Sequence, residues 1–293
     1  MSTKTAFAST LAAILLGFGI AFAGGDGSVE ASGLPVFAWA AIAIFAVQWV
    51  AFLVAWSLHS ERFFDLVGSL TYLGAVGFCL ALAESPGFHS FLIAAMVSIW
   101  ALRLGTFLAR RVHASGSDSR FDTMKYRFAW FFFTWTTQGL WVLATAGAAL
   151  AAITQMGRTA VGPLTFPGIS LWVVGFGLEV VADEQKRRFR AQPDNRGHFI
   201  TIGLWSRSRH PNYVGEILLW SGIAVLAAPA LTGWSHLTLL SPVFVWLLLT
   251  RVSGIPLLEA AADRRWGDHA DYLAYKARTP VLWPRLVKGR RTG

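Results

Sequence analysis

Eight apolar runs, each long enough to cross a bilayer as a helix, fill most of this chain. They fall near residues 6–23, 36–57, 63–83, 88–108, 127–153, 164–183, 213–231 and 236–257. A helix needs about 17–25 residues to span the hydrocarbon, where backbone amides find no water and must bond within the segment. A membrane barrel would instead show alternating segments of about ten residues. Composition agrees: 55% of the 293 residues are hydrophobic and only 14% charged, against about 25% charged in a soluble domain. A single soluble core of this size cannot bury so much apolar surface, and a disordered chain would not carry it. The expected fold is an all-α, polytopic membrane bundle: a seven-helix core plus a possible extra N-terminal helix. The lipid bilayer is its first partner.

Charge placement gives an orientation. Lys and Arg favour the cytoplasmic side of short loops. Residues 24–35 hold Asp26 and Glu30 but no base, 84–87 hold only Glu84, and 232–235 are uncharged; with 154–163, whose one base is Arg158, they are expected outside. The opposite set is strongly basic. It comprises Arg110, Arg111, Arg120, Lys125 and Arg127; Lys186, Arg187, Arg188, Arg190, Arg196, Arg207 and Arg209; and the tail with Arg264, Arg265, Lys276, Arg278, Arg285, Lys288, Arg290 and Arg291. These are expected in the cytoplasm with the C-terminus, in a bacterial inner membrane or, for a eukaryotic chain, the endoplasmic reticulum. The net charge of +9 lies in connectors between apolar runs, so nucleic acid is not the expected partner. Lys4, the first run and Ala21-Phe22-Ala23 also resemble a signal peptide with an A-x-A cleavage site. Retained, this segment is an eighth helix; cleaved, it leaves seven. The expected division is a hydrophobic segment and outer loop over 1–34, then one domain over 35–293. A monomer is expected.

One cysteine excludes an intramolecular disulfide, a Cys-based zinc site and a redox CxxC pair, and the seven histidines lack HxxxH or HExxH spacing. The polar chemistry is concentrated in two basic stretches. Asp183, Lys186, Arg187 and Arg190 are three, four and seven residues apart, one face of a continuing helix. Such a face suits headgroup anchoring or a phosphate ligand. Next comes Arg209-His210-Pro211-Asn212-Tyr213-Val214-Gly215-Glu216. Pro211 fits a helix start, where its missing N–H costs nothing. Glu216 then lies at membrane depth, where a carboxylate is costly without a partner or an aqueous cavity. Gly175-x-Gly177 lies inside a helix, where small residues serve close packing. Mid-helix Gln138 is expected to make an interhelical hydrogen bond.

Together with Ser253-Gly254-Ile255-Pro256-Leu257-Leu258-Glu259, this motif resembles the steroid 5α-reductase family, in its bacterial branch, with sterol C14-reductases as more distant relatives. The similarity covers about 60–293 and is strongest from 175 onward. It implies an NADPH-dependent reductase with a cofactor pocket open to the cytoplasm and a steroid-like enone as substrate. Asp183, Arg187 and Arg190 match the family's Asp-x-x-x-Arg-x-x-Arg cofactor contacts, with Lys186, Arg196, Arg209, His210 and Tyr213 close by in sequence. Asn212 and Glu216 match the pair that binds the nicotinamide half, and Glu259 and the Tyr272/Tyr275 region match the C-terminal cofactor stretch. Arg fits phosphate bidentately, and no GxGxxG follows a strand to support a Rossmann site.

Reducing an enone also requires an acid near its carbonyl oxygen. Where the family carries a Glu and, well downstream, a Tyr, this chain has Asp65 and Trp100. Tyr72, two helical turns after Asp65, or protonated Asp65 is then the candidate acid, with Glu216 the third catalytic candidate. Arg103, three residues after Trp100, could reach cofactor phosphate or snorkel to headgroups. The main rival is a SAM-dependent isoprenylcysteine-type membrane methyltransferase, which shares RHPxY; SAM carries no phosphate for the basic face. A transporter would predict broken helices and usually a repeat, and the sequence suggests neither.

Overall fold

The computed structural model describes residues 1–115, 121–155 and 161–283. Arg120, Arg158, Arg285, Lys288, Arg290 and Arg291 lie outside the described residues, as do the side chains of Arg110 and Arg111. The chain is an all-α polytopic membrane bundle, with eight helical stretches among the described residues long and apolar enough to span a bilayer. The first seven spans are α1 (Thr3–Gly25), α2 (Val36–Leu58), α3 (Phe64–Leu82), α4 (Phe88–Ser115), α5 (Phe128–Thr154), α6 (Thr165–Ala191) and α7 (Pro211–Ala227). The eighth, Gly233–Trp266, is interrupted. It is built from a 3-10 stretch Gly233–Leu240, α8 (Ser241–Leu247), a π-turn Leu248–Val252 and α9 (Ile255–Trp266), and α10 (Ala270–Arg278) follows. The backbone divides into two compact units, Met1–Gly168 with Ile223–Ser241, and Ile169–Gly222 with Pro242–Gly293.

In the first unit α5 is central: 83% of its apolar window is buried, against 28–39% for α1 to α4. Its second half, Ala144-Thr-Ala-Gly-Ala-Ala-Leu-Ala-Ala152, is small on every side, and a helix apolar all round belongs in the interior. Lipid supplies no hydrophobic drive between helices, so close approach of small residues does the packing. α1 follows the same rule, burying Ala6, Thr10, Ala13 and Gly17 on one face. A Cβ on Gly17 would lie 2.7 Å from the Phe45 ring. Gln138 Nε2 donates to Phe64 O at 3.0 Å, the interhelical bond expected of it. Gln48 Nε2 bonds Thr71 Oγ1 at 2.9 Å.

Two carboxylates in this unit have structural work. Asp26 Oδ2 accepts the Trp234 N–H at 2.7 Å, an anion at the start of a 3-10 segment, where free N–H groups attract it. Glu61 is 4% exposed and pairs with Lys125 Nζ at 3.0 Å. That hydrogen bond raises the Lys125 pKa above its usual value. Lys125 therefore holds a buried partner as well as adding to a basic loop.

In the second unit α6 and α7 touch backbone to backbone. A Cβ on Gly175 would lie 2.6 Å from Gly215 O, and one on Gly215 would lie 2.5 Å from Gly175 O. Gly175 therefore packs helices as its sequence setting implied, while Gly177 faces open space. The eighth run departs from the continuous helix expected over 236–257. The ladder widens to π geometry after Leu247 and stops at Ser253, and α9 restarts with Pro256 in its first turn. Gly254 sits at the break because a Cβ there would meet Leu249 O at 2.6 Å and the Tyr213 ring at 2.9 Å. A broken last helix thus belongs to this fold, and the expectation of unbroken spans is corrected.

Candidate functional site

The second unit holds a cavity of about 640 Å³. Four pieces of chain line it. The last turns of α6 give Lys186, Phe189 and Arg190; the loop after α6 gives Asn195 to Ile200 and Trp205; the entry to α7 gives Arg209 and His210; and α9 with α10 gives Glu259, Arg265, Trp266, Tyr272 and Tyr275.

The loop is held by specific bonds. Leu204 N donates to Gln185 Oε1 at 2.9 Å, and Trp205 Nε1 donates to Ala182 O at 3.0 Å. Tyr275 OH donates to Trp205 O at 2.7 Å, joining α10 to the loop. Burial pushes the Tyr275 phenol up to about 12, which keeps it a donor at neutral pH. The segment after α10 then returns to the α7 entry, where Arg209 N donates to Pro280 O at 2.9 Å and His210 N to Val281 O at 3.1 Å.

Glu259 is the hub of one end. Its Oε2 lies 3.1 Å from Arg209 Nη2 and 3.7 Å from Lys276 Nζ, and its Oε1 lies 2.9 Å from His210 Nε2. Lys276 also pairs with Asp263 at 2.6 Å, and Tyr272 OH donates to the same carboxylate at 3.0 Å. His210 is 5% exposed and stacks on Tyr213, ring centroids 5.5 Å apart. Burial lowers its pKa most, Lys186 and Arg209 lower it further, and Glu259 opposes them. A neutral imidazole donating Nε2–H to Glu259 leaves Nδ1 as an acceptor. That buried Nδ1 has no hydrogen-bond partner among the described residues, and neither has Asn212 Oδ1. Buried polar atoms left so are rare and call for a ligand, water or functional reason.

The cations fall into two groups. Arg187 and Arg188 both pair with Glu184, Arg187 through two bonds of 2.7 Å, and Arg187 is largely exposed. Arg209 and Lys276 are neutralised by Glu259 and Asp263. Lys186, Arg196 and Arg265 line the cavity with no carboxylate at ion-pair distance among the described residues. Lys186 Nζ stands 4.3 Å from the Trp205 ring centre and the Arg265 guanidinium 5.0 Å from that of Trp266.

Of the residues singled out from sequence, the cavity gathers Lys186, Arg190, Arg196, Arg209, His210, Glu259 and Tyr275. Asp183, Arg187, Asn212, Tyr213 and Glu216 do not line it. The single-face grouping of Asp183, Lys186, Arg187 and Arg190 is divided: Glu184 holds Arg187 to itself, while Lys186 and Arg190 turn to the cavity. Asn212, Tyr213 and Glu216 occupy the first turns of α7. In the first unit Asp65 opens α3, and Arg103 lies 5.4 Å from the Phe107 ring centre. Tyr72 is 5% exposed and meets Trp100 edge-on, centroids 5.1 Å apart.

Sequence reasoning passed over Arg265, Trp266, Phe199 and Glu179. Arg265 was legible only as part of a basic tail. Glu179, 3% exposed in α6, could have been found by the intramembrane-carboxylate argument applied to Glu216.

Eight apolar helical stretches among the described residues and a cation-lined cavity in the second unit describe a polytopic membrane protein with a candidate ligand site. The chain belongs to the family described as a protein of unknown function (DUF1295), whose pattern matches residues 36–279. It is also similar to the probable O-methyltransferase ustE of Ustilaginoidea virens, 28% identical over 120 residues. That match covers 41% of this chain and 40% of the relative, so the similarity spans about two-fifths of either protein. No solved structure matches the chain.

Proposed function

We propose that this protein is a membrane-embedded, NADPH-dependent reductase that delivers hydride to the C=C of an apolar enone such as a 3-oxo-Δ4-steroid, with its cofactor cavity facing the cytoplasm. The observation that carries this reading is the cavity lined by Lys186, Arg196 and Arg265, three cations with no carboxylate at ion-pair distance among the described residues. Cations gathered around one cavity repel, and an anionic ligand with several phosphate oxygens relieves that repulsion. NADPH carries such groups and supplies the hydride when bound. On this reading Lys186, Arg190, Arg196 and Arg265 hold phosphate oxygens. Asn212, whose Oδ1 has no hydrogen-bond partner among the described residues, and Glu216 lie outside the cavity lining on the first turns of α7, just past the lining residue His210, and orient the nicotinamide carboxamide where the cofactor extends beyond the cavity. Glu259 fixes Arg209 and His210. Tyr72 and Asp65 are the two candidate acids for the enone oxygen, and Tyr72 meets edge-on the Trp100 that stands where the reductase family carries a tyrosine.

A second reading, a SAM-dependent membrane methyltransferase, is favoured by the similarity to an O-methyltransferase. Against it, SAM carries a sulfonium cation and no phosphate, so it would add positive charge to a basic cavity. Isothermal titration of the detergent-purified protein with NADPH, NADH, SAM and S-adenosylhomocysteine separates the two. Binding of NADPH and not of the adenosyl ligands supports the reductase; the reverse overturns it.

A further inference from the structure

Within the dinucleotide reading, we propose that Arg196, Arg265 and the Trp266 indole form a subsite for a 2′-phosphorylated adenosine, and that they select NADPH over NADH. Glu259 and Arg265 are six residues apart on α9, which places them about 9 Å apart along the helix axis. The cavity therefore has two ends. At the Glu259 end, Arg209 and Lys276 are already paired, and Lys186, close enough to His210 to depress its pKa, has no carboxylate at ion-pair distance among the described residues. At the other end Arg196 and Arg265 both lack a carboxylate partner among the described residues.

The far end is also built to receive a flat ring. Trp266 Nε1 donates to Gly197 O at 2.6 Å, which fixes the indole and brings the loop carrying Arg196 to it. Phe199 supports the indole from the side, centroids 5.7 Å apart at 62°. The Arg265 guanidinium stands over the indole face, an arrangement that offers both a stacking surface and a cation. A ribose with a diphosphate at its 5′ position, a phosphate at 2′ and a purine at 1′ presents this same set of groups: two anions separated by a sugar, and an aromatic ring beside one of them. Two arginines suit the 2′-phosphate because a dianionic monoester offers three oxygens to two planar donors. NADH lacks that phosphate and would leave both arginines uncompensated.

The test uses the full chain in lipid nanodiscs, with the dissociation constants of NADPH, NADH and adenosine 2′,5′-bisphosphate measured by titration calorimetry. Arg196 and Arg265 are exposed, so Arg196→Ala and Arg265→Gln are expected to fold. Each should weaken NADPH and the bisphosphate roughly tenfold or more, the loss of a charge-assisted bond, and leave NADH within about twofold. Equal weakening of NADPH and NADH, or no change in either, overturns the subsite while leaving a dinucleotide reductase standing. Failure of the parent to bind NADPH overturns the reductase reading and this assignment with it. A phospholipid headgroup offers the same phosphate chemistry. If the variants change only the dependence of stability on phosphatidylglycerol content, the arginines hold lipid and the proposal falls.

Discussion

His210 Nε2 and Glu259 Oε1 lie 2.9 Å apart, joining the entry of α7 to α9 across 49 residues. The bond ties the motif that opens the seventh span to the segment that follows the break in the eighth. It has a pH signature. The pKa of His210 is lowered in the folded protein, chiefly by burial. A base with a depressed folded pKa binds fewer protons folded than unfolded. Its contribution is therefore whole above the ordinary histidine pKa of about 6.5 and is lost as pH falls through the folded value. Thermal unfolding should thus shift to lower temperature below about pH 6, and His210→Gln should flatten that dependence. An unchanged slope in the variant would remove His210 from the site's acid sensitivity.

Neighbouring basic residues on α6 should behave differently. Lys186 lines the cavity over Trp205, whereas Arg187 is 61% exposed and bound to Glu184. Lys186→Ala should weaken NADPH roughly tenfold or more. Arg187→Ala should change it by less than about threefold, since an exposed pair contributes about 0–1 kcal/mol. Titration of both variants decides it, and equal losses would restore the one-face grouping read from sequence.

The helix contact makes a prediction about stability alone. Gly215→Ala places a methyl 2.5 Å from Gly175 O and 2.6 Å from Glu179 N, backbone atoms that cannot rotate away. Overpacking of this kind costs about 1–3 kcal/mol. The variant should melt several degrees below the parent in the same detergent, while alanine at Gly177, which meets nothing within 4 Å, should not.

Much of this molecule was legible as sequence. The eight spans were, because length and hydropathy are local properties and the bilayer sets both. Gly175 was readable because a glycine inside an apolar helix has few other uses. The break at Gly254 was less so: Pro256 stands where a helix start and a helix interior look alike, and the contact requiring a glycine comes from Tyr213, far away in sequence. The same limit applies to the cavity. Helical spacing placed Arg187 beside Lys186 and Arg190, but the choice among them was made by Glu184, one turn away, which captures Arg187 and Arg188. Arg265 and Trp266 acquire meaning only through Gly197, 69 residues away.

Sidedness is tested by labelling. Ser206 is exposed at the end of a 3-10 turn in the basic stretch before α7, and Cys79 is buried. In a Cys79→Ala background, Ser206→Cys should react with an impermeant maleimide only after the cytoplasmic face is opened. Labelling of intact cells would reverse the orientation drawn from the basic loops and place the cavity away from soluble NADPH.

Asn212 and Glu216 are four residues apart on α7, hence on one helix face. Asn212 Oδ1 is buried without a hydrogen-bond partner among the described residues, and Glu216 is a half-buried carboxylate within an apolar span. On the proposed reading both orient the nicotinamide carboxamide, the amide N–H groups donating to Asn212 Oδ1 and to the Glu216 carboxylate. A ring displaced by about 1 Å can lose about a hundredfold in rate. Asn212→Ala and Glu216→Ala should therefore abolish single-turnover oxidation of bound NADPH by a saturating Δ4-3-ketosteroid, with NADPH affinity falling less than tenfold because the phosphate contacts remain. Glu216→Gln separates charge from shape. If a neutral acceptor suffices, Gln restores most of the rate; if the carboxylate charge is needed, it behaves like Ala. Parent-like turnover in all three variants would place the hydride-bearing ring elsewhere and favour the methyltransferase reading.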